Sequence, residues 1–147
     1  MLEIKGNLWN YYGQPNVVVC ITTNGFIKKN GEAVMGRGCA LEATRLYPEL
    51  PKLLGDHLKS MGNFPHLFEF ERGGLISFPV KHNWWENADL NLIQLSAGYL
   101  SGLAGIKSNT AFILPRPGCG NGHLSWEEVK PVIEFLPNNV WVISNEI

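Results

Sequence analysis

The chemistry-bearing residues of this chain gather in three places. The first is Lys81, in the stretch FPVKHNWW at 78–85, at the end of a run that reads as a β-strand. An unperturbed lysine amine has a pKa near ~10.4, so well under about 1% is neutral at pH 7 and the group is a poor nucleophile. In a dry cleft beside His82 and Trp84, the same amine could be depressed enough to act as nucleophile or proton-transfer group. One of Trp84 and Trp85 is expected to be a core or lid residue. The other two places are glycine-rich loops, NGFIKKNGEAVMGRG at 24–38 and PRPGCGNGHL at 115–124, each between a strand and a helix. Glycines let backbone N–H groups approach an anion with no Cβ in the way, and a helix N-terminus beside each loop adds favourable potential. Neither loop carries the Gly-Lys-Ser/Thr of a P-loop or the dinucleotide G-x-G-x-x-G, so the pattern points to another anion-binding class. A single such loop is as readily a plain turn; two on strand–loop–helix junctions are more specific.

Other constellations weigh less. Cys119 and His123 share the second loop, but a thiol mechanism needs a base oriented by a third group. The four histidines have no metal-ligand spacing with one another or with cysteine, so neither a metal nor another cofactor is expected.

The elements that must position these residues are legible from periodicity. Residues 2–5 and 17–23 read as strands, the second apolar on both faces and therefore central. A helical pattern follows from 40, with Ala40, Ala43, Thr44 and Tyr47 on one face and Pro48 ending it. Leu50, Leu53, Leu54, Leu58 and Met61 form the stripe of a second helix that Gly62 stops. Residues 66–71 and 75–80 read as a hairpin turning at Gly73 and Gly74. Asp89 can cap a helix to about Ala104, its inner face Ile93, Ala97, Leu100 and Ala104, with Gly105 closing it. A strand at 110–114 leads to a capping box of Ser125 and Glu128, and the helix after it must kink or restart at Pro131. Residues 140–144 close the pattern as a strand. Alternating strands and helices with one hairpin make a mixed sheet covered on both faces, whose ligands sit at the carboxyl ends of strands.

At 147 residues, 45% hydrophobic and 17% charged, the composition is that of one globular domain over 1–147. A net charge of −1 without a Lys/Arg block argues against gripping long stretches of nucleic acid. The longest apolar run, VVVCI at 17–21, is far too short to span a bilayer, so no membrane association is expected. No secretory signal is visible, and the odd, widely spaced Cys20, Cys39 and Cys119 suit a reducing compartment, with the cytoplasm as the default location.

Taken together, IKGNL at 4–8, VMGRGCAL at 34–41, FPVK at 78–81 and GCGNGHL at 118–124, followed by Ser125 and Trp126, resemble the macrodomain family. Within it the chain is most similar to the branch of DarG-type DNA ADP-ribosyl glycohydrolases and the terminal ADP-ribose protein glycohydrolase. The resemblance implies a three-layer αβα fold, a mixed sheet of about six strands, and ADP-ribose lying across the strand ends. It places Thr22 beside the distal ribose. It puts Met35, Gly36, Arg37 and Gly38 around the distal ribose and phosphates, and Pro117, Gly118, Cys119, Gly120, Asn121, Gly122 and His123 around the diphosphate. Lys81 matches the catalytic lysine, which works at the anomeric carbon of the distal ribose. Asn7, beside Leu8, stands where the family has an adenine-contacting aspartate; its amide oxygen still accepts a hydrogen bond, without charge assistance. The protein glycohydrolase has a catalytic aspartate where this chain has Gly122, as DarG-like members do. Residues 25–33 look like an insertion, with Lys28 and Lys29 as solvated charges or, secondly, phosphate contacts.

The implied function is removal of ADP-ribose from a modified macromolecule, DNA or protein, with a cognate ADP-ribosyltransferase toxin as a partner. A non-catalytic ADP-ribose reader and an ADP-ribose 1″-phosphate phosphatase are the alternatives.

Overall fold

The computed structural model describes residues 1–146. Its centre is the β-branched run Val17–Asn24 (β2), which pairs in parallel with Gly73–Lys81 (β4) on one side and Ala111–Pro115 (β5) on the other. Val140–Ser144 (β6) and Leu2–Lys5 (β1) extend the sheet in parallel beyond β5, and His66–Phe70 (β3) closes the opposite edge antiparallel to β4. The strand order is β1-β6-β5-β2-β4-β3, so the sheet is mixed, as the alternating pattern predicts.

Because successive strand residues point to opposite faces, the central strands fill two cores. On one face Cys20, Ile76, Phe78, Phe112 and Leu114 meet Leu90–Ile106 (α3) and Trp126–Ile133 (α4) through Ile93, Ala97, Leu100, Val129 and Ile133. On the other, Val19, Ile21, Leu75 and Ile113 meet Gly38–Leu46 (α1) and Leu50–Met61 (α2) through Ala40, Ala43, Leu50, Leu54 and Leu58. The result is the three-layer αβα arrangement.

Several details differ from the sequence reading. Leu53 and Met61 are 39% and 66% exposed, because the inward face of α2 runs along Leu50, Leu54 and Leu58. The hairpin turns at Glu71–Arg72; Gly73 and Gly74 are already in β4, paired with Phe70 and Glu69. Gly74 keeps the strand clear of Leu67 and Val18, whose side chains lie 3.2 and 3.3 Å from where a Cβ would stand. The third helix runs through Gly105 to Ile106, and α4 continues as one helix through Pro131. In a helix of only 8 residues, Pro131 forfeits a single backbone bond, to Glu127, and the helix survives it.

The segment 25–33 is packed against α2. Ala33 N–H donates to the Pro51 carbonyl at 2.8 Å, and a Cβ on Gly55 would stand only 2.0 Å from the Gly31 carbonyl oxygen. Gly55→Ala should therefore push loop and helix apart and cost about 1–3 kcal/mol of stability. Gly98→Ala, at an exposed position in α3 where a Cβ meets nothing, should raise stability by roughly 0.5–1 kcal/mol. Urea unfolding of both variants tests the pair; equal midpoints would show that the loop is not held against α2.

Candidate functional site

Strands β5, β2 and β4 are neighbours and parallel, so all three leave the sheet at the same end, around a cavity of 620 Å³. Thr22, Thr23 and Asn24 at the end of β2 form its floor with Val80 and Lys81 at the end of β4. The first glycine loop contributes Met35 to Cys39, the turn after β4 contributes Trp84 to Asn87, and the second loop contributes residues from Pro115 to His123.

Lys81 is held by backbone geometry. The β2–β4 register shifts between Thr23 and Asn24, bringing Asn24 opposite Lys81; such irregularities re-aim side chains at strand ends. Asn24 is buried, donating to the Val34 carbonyl at 2.9 Å and accepting from Phe26 N–H at 3.0 Å, so it ties the first loop to the strand end. Asn63 donates to the Lys81 carbonyl at 2.9 Å, and Gly25 N–H to the His82 carbonyl at 3.1 Å. The Lys81 amine donates to the Trp84 carbonyl at 3.4 Å. Burial, and then the Arg37 guanidinium, hold its pKa below the ordinary lysine value.

His82 does not accompany the amine. Its ring faces Asp89 at 2.8 Å, and that hydrogen bond holds the Asp89 carboxyl below the usual range. Nor is either tryptophan a core residue: Trp84 and Trp85 are 52% and 59% exposed, and both line the cavity mouth.

Three helices start near the cavity, and their ends are not equivalent. Asp89 caps α3 by accepting Asn91 N–H at 2.9 Å. Ser125 and Glu128 close a full capping box on α4, which brings its own carboxylate to that end. Only α1 starts without a side-chain cap. Gly36 and Gly38, at φ 62° and 68°, turn the chain into it through Arg37. Of the two helices that follow the glycine loops, α1 therefore starts uncapped, whereas the start of α4 already carries a compensating charge.

The second loop separates two kinds of glycine. A Cβ on Gly120 would meet nothing within 4 Å, so this residue leaves the cavity open. A Cβ on Gly122 would stand 2.5 Å from the Gly118 carbonyl and 2.7 Å from the Ala88 Cβ, so this one closes the loop onto the turn before α3. Neither has a positive φ.

Of the residues singled out in the sequence, Thr22, Met35, Gly36, Arg37, Gly38, Lys81, Gly118, Gly120, Asn121, Gly122 and His123 line this one cavity. Asn7, Leu8, Pro117 and Cys119 stand off its wall. Asn7 spends its side-chain oxygen on Trp9 N–H at 2.9 Å, capping the short 3-10 turn Leu8–Asn10, and Leu8 is buried in the α1–α2 core. The Cys119 thiol lies 3.7 Å from the Pro117 carbonyl, and burial pushes its pKa up, the reverse of an activated nucleophile. Residues not anticipated include Asn24, Cys39 and Glu86. The Cys39 sulfur contacts Thr22 N and Oγ1 at 3.4 and 3.5 Å, and burial raises its thiol pKa too. Glu86, held by Asn83 at 2.9 Å, is the single carboxylate on the wall among the described residues. The charge of Arg116 is offset by the carboxylates of Glu3 at 3.9 Å and Glu146 at 3.8 Å, and its guanidinium also lies 4.9 Å from the Trp126 ring centroid and bonds the Glu146 carbonyl at 3.0 Å.

No family model matches the chain. A DNA ADP-ribosyl glycohydrolase of Mycobacterium tuberculosis (strain ATCC 25618 / H37Rv) is 33% identical over 110 residues, which are 69% of this chain and 31% of that protein. The corresponding protein of Mycobacterium bovis (strain BCG / Pasteur 1173P2) matches equally, so the chain spans about a third, 31%, of the curated relatives it matches. Among solved structures, the macrodomain of Mycobacterium tuberculosis DarG superposes with a TM-score of 0.76 at 24% identity, covering 97% of this chain and 95% of that one. The macrodomain of Thermus aquaticus DarG gives 0.76 at 24% identity, covering 97% of both chains. Thermosipho africanus DarTG in complex with ADP-ribose gives 0.72 at 18% identity, covering 89% of this chain and 42% of that one.

The two loop glycines should separate in stability. Gly122→Ala should cost about 1–3 kcal/mol, whereas Gly120→Ala should stay within roughly 0.5 kcal/mol. Denaturant midpoints decide it, and an intact Gly122→Ala would mean that the loop closes some other way.

Proposed function

Since the chain folds as a macrodomain of the DarG type, we propose that it binds ADP-ribose and hydrolyses it from ADP-ribosylated DNA, residues 1–147 acting as one domain. The observation that carries this reading is the depressed Lys81 amine at the floor of a cavity bordered by the open start of α1 and the Gly120 loop. The diphosphate lies against the N–H groups of α1 and the second loop, with Arg37 and Asn121 beside it and the distal ribose between Thr22 and Lys81. Adenine extends toward Asn7 and Leu8, past Pro117 and Cys119. The ribosyl–base bond then sits at Lys81. The amine acts at the anomeric carbon as nucleophile, or on the attacking water as base, and both roles need the neutral form.

Gly122 supports DNA over an acidic protein side chain as the modified group. The position at which the resemblance puts a catalytic aspartate in the protein glycohydrolase cannot hold any side chain here without displacing Gly118 or Ala88. The partner we infer is the ADP-ribosyltransferase whose product this site removes. The three free cysteines suit a cytoplasmic, reducing setting, and no helix among the described residues is long and apolar enough to cross a membrane.

Calorimetry should give a micromolar Kd for ADP-ribose, on the order of −8 kcal/mol. Gly120→Val should abolish that binding with the fold intact, because its side chain enters the space for the diphosphate. No heat with folded wild-type protein would sink the binding reading.

Turnover is tested on an ADP-ribosylated oligonucleotide. Lys81→Ala should lower kcat by roughly a hundredfold or more while ADP-ribose still binds. Lys81→Arg should fail as well, since a guanidinium stays protonated. Burial lowers the amine pKa, so the neutral fraction grows with pH; the rate should rise with pH and level off below the usual ~10.4 of lysine. An alanine variant with full activity removes Lys81 from the mechanism, and wild-type protein that binds without turnover is a reader.

A further inference from the structure

Two large aromatic side chains stand half in water at the cavity mouth, and nothing in the fold requires them there. Trp84 and Trp85 are 52% and 59% exposed, edge-to-face at 5.5 Å and 89°. The segment that carries them is nevertheless well held. Asn83 bonds Glu86 across the turn at 2.9 Å, Ala88 N–H bonds the Gly122 carbonyl at 3.0 Å, and Asp89 N–H bonds the Val80 carbonyl at 2.9 Å. From the other side Phe26, in the loop after β2, packs edge-on against Trp85 at 5.4 Å. The pair is thus a braced surface feature, unlike a floppy loop tip that happens to carry apolar residues.

Trp84 and Trp85 line the same cavity as Lys81. The Trp84 carbonyl is the acceptor for the Lys81 amine at 3.4 Å, which ties residue 84 to the amine through its backbone, and the Trp84 side chain stands on the wall of the same cavity. On the glycohydrolase reading, a group leaving the anomeric carbon at Lys81 departs from the cavity that this ring borders. A nucleobase gains from an indole face through stacking, and an acidic protein side chain does not. We infer that Trp84 is the platform for the leaving nucleobase and that Trp85, braced by Phe26, takes a neighbouring base of the same strand. The inference rests on the glycohydrolase reading above and adds the residues that read the leaving group. Rings at 89° cannot both join one continuous base stack, so the modified base and its neighbour are splayed apart when bound. Recognition by ring faces also explains how a chain of net charge −1 without a basic block can hold a strand: it grips one or two bases and leaves the backbone largely alone.

The test compares an ADP-ribosylated oligonucleotide, the ADP-ribosylated mononucleotide, an ADP-ribosylated protein and free ADP-ribose. Trp84→Ala should raise KM for both nucleotide substrates by roughly ten- to a hundredfold, while Trp84→Phe keeps most of the wild-type value. Trp85→Ala should raise KM for the oligonucleotide alone, because the mononucleotide has no neighbouring base. Affinity for free ADP-ribose should move by less than about threefold in each variant, and melting curves check the fold. Unchanged oligonucleotide KM in both alanine variants overturns the proposal, as does an equal loss of free ADP-ribose affinity, which would put the rings in the ADP-ribose pocket itself. Equal effects on the modified protein would also overturn it. Should wild-type protein turn over no substrate, the activity reading fails separately. The platform is then decided by tryptophan quenching with an unmodified oligonucleotide at saturating ADP-ribose: quenching that the Trp84→Ala, Trp85→Ala double variant loses supports it, and no quenching overturns it.

Discussion

The central strands β5, β2 and β4 are apolar on both faces and parallel, and the geometry of the site follows from that. Val19 and Ile21 face one helical layer and Cys20 faces the other, so neither side of the sheet can be left to water. Parallel neighbours require their connections to cross over the sheet, which brings three strand ends and three outgoing loops to the same edge. The cavity is the gap where those loops diverge. Its floor is polar because Thr22 and Lys81 are only half-buried at the strand ends, while the buried Asn24 has its amide satisfied by the first loop.

Electrostatics then divides the cavity. Two of the three nearby helix starts have satisfied themselves with carboxylates, Asp89 on α3 and Glu128 on α4, and this leaves α1 as the end with free N–H groups. Arg37 sits at that end and also disfavours a proton on Lys81. The same cation that can hold an anionic ligand thus helps keep the amine available as a base or nucleophile. When an anion neutralises Arg37, part of that bias is cancelled and burial carries the rest.

The strands and helices were legible because their apolar spacing is regular, and the two loops because they break that regularity with glycine. What was not legible depends on distances between segments far apart in sequence. Gly120 and Gly122 look alike in GCGNG, yet one opens the cavity and the other closes the loop on Ala88, a neighbour 34 positions upstream of Gly122. The Ser125–Glu128 spacing marks a cap in the sequence, but that the cap occupies a helix end near the cavity depends on the geometry. Leu53 and Met61 fit the helical stripe loosely and turned outward, because Leu50, Leu54 and Leu58 already fill the space under α2. Asn24 could have been suspected as the polar residue ending β2; the register slip that sets it against Lys81 could not.

Cys39 bears on how the protein would endure oxidising chemistry. A sulfur in a ligand cavity is ordinarily a point of attack for peroxide or for an electrophilic inhibitor, since the thiolate is the reactive species. Here burial raises the thiol pKa, and the backbone and hydroxyl of Thr22 surround the sulfur at 3.4 and 3.5 Å. The thiol stays protonated near neutral pH. Sulfenic acid formation and alkylation at this position should be correspondingly slow, so the cavity wall beside Thr22 should be chemically quiet even though a nucleophilic element forms part of it.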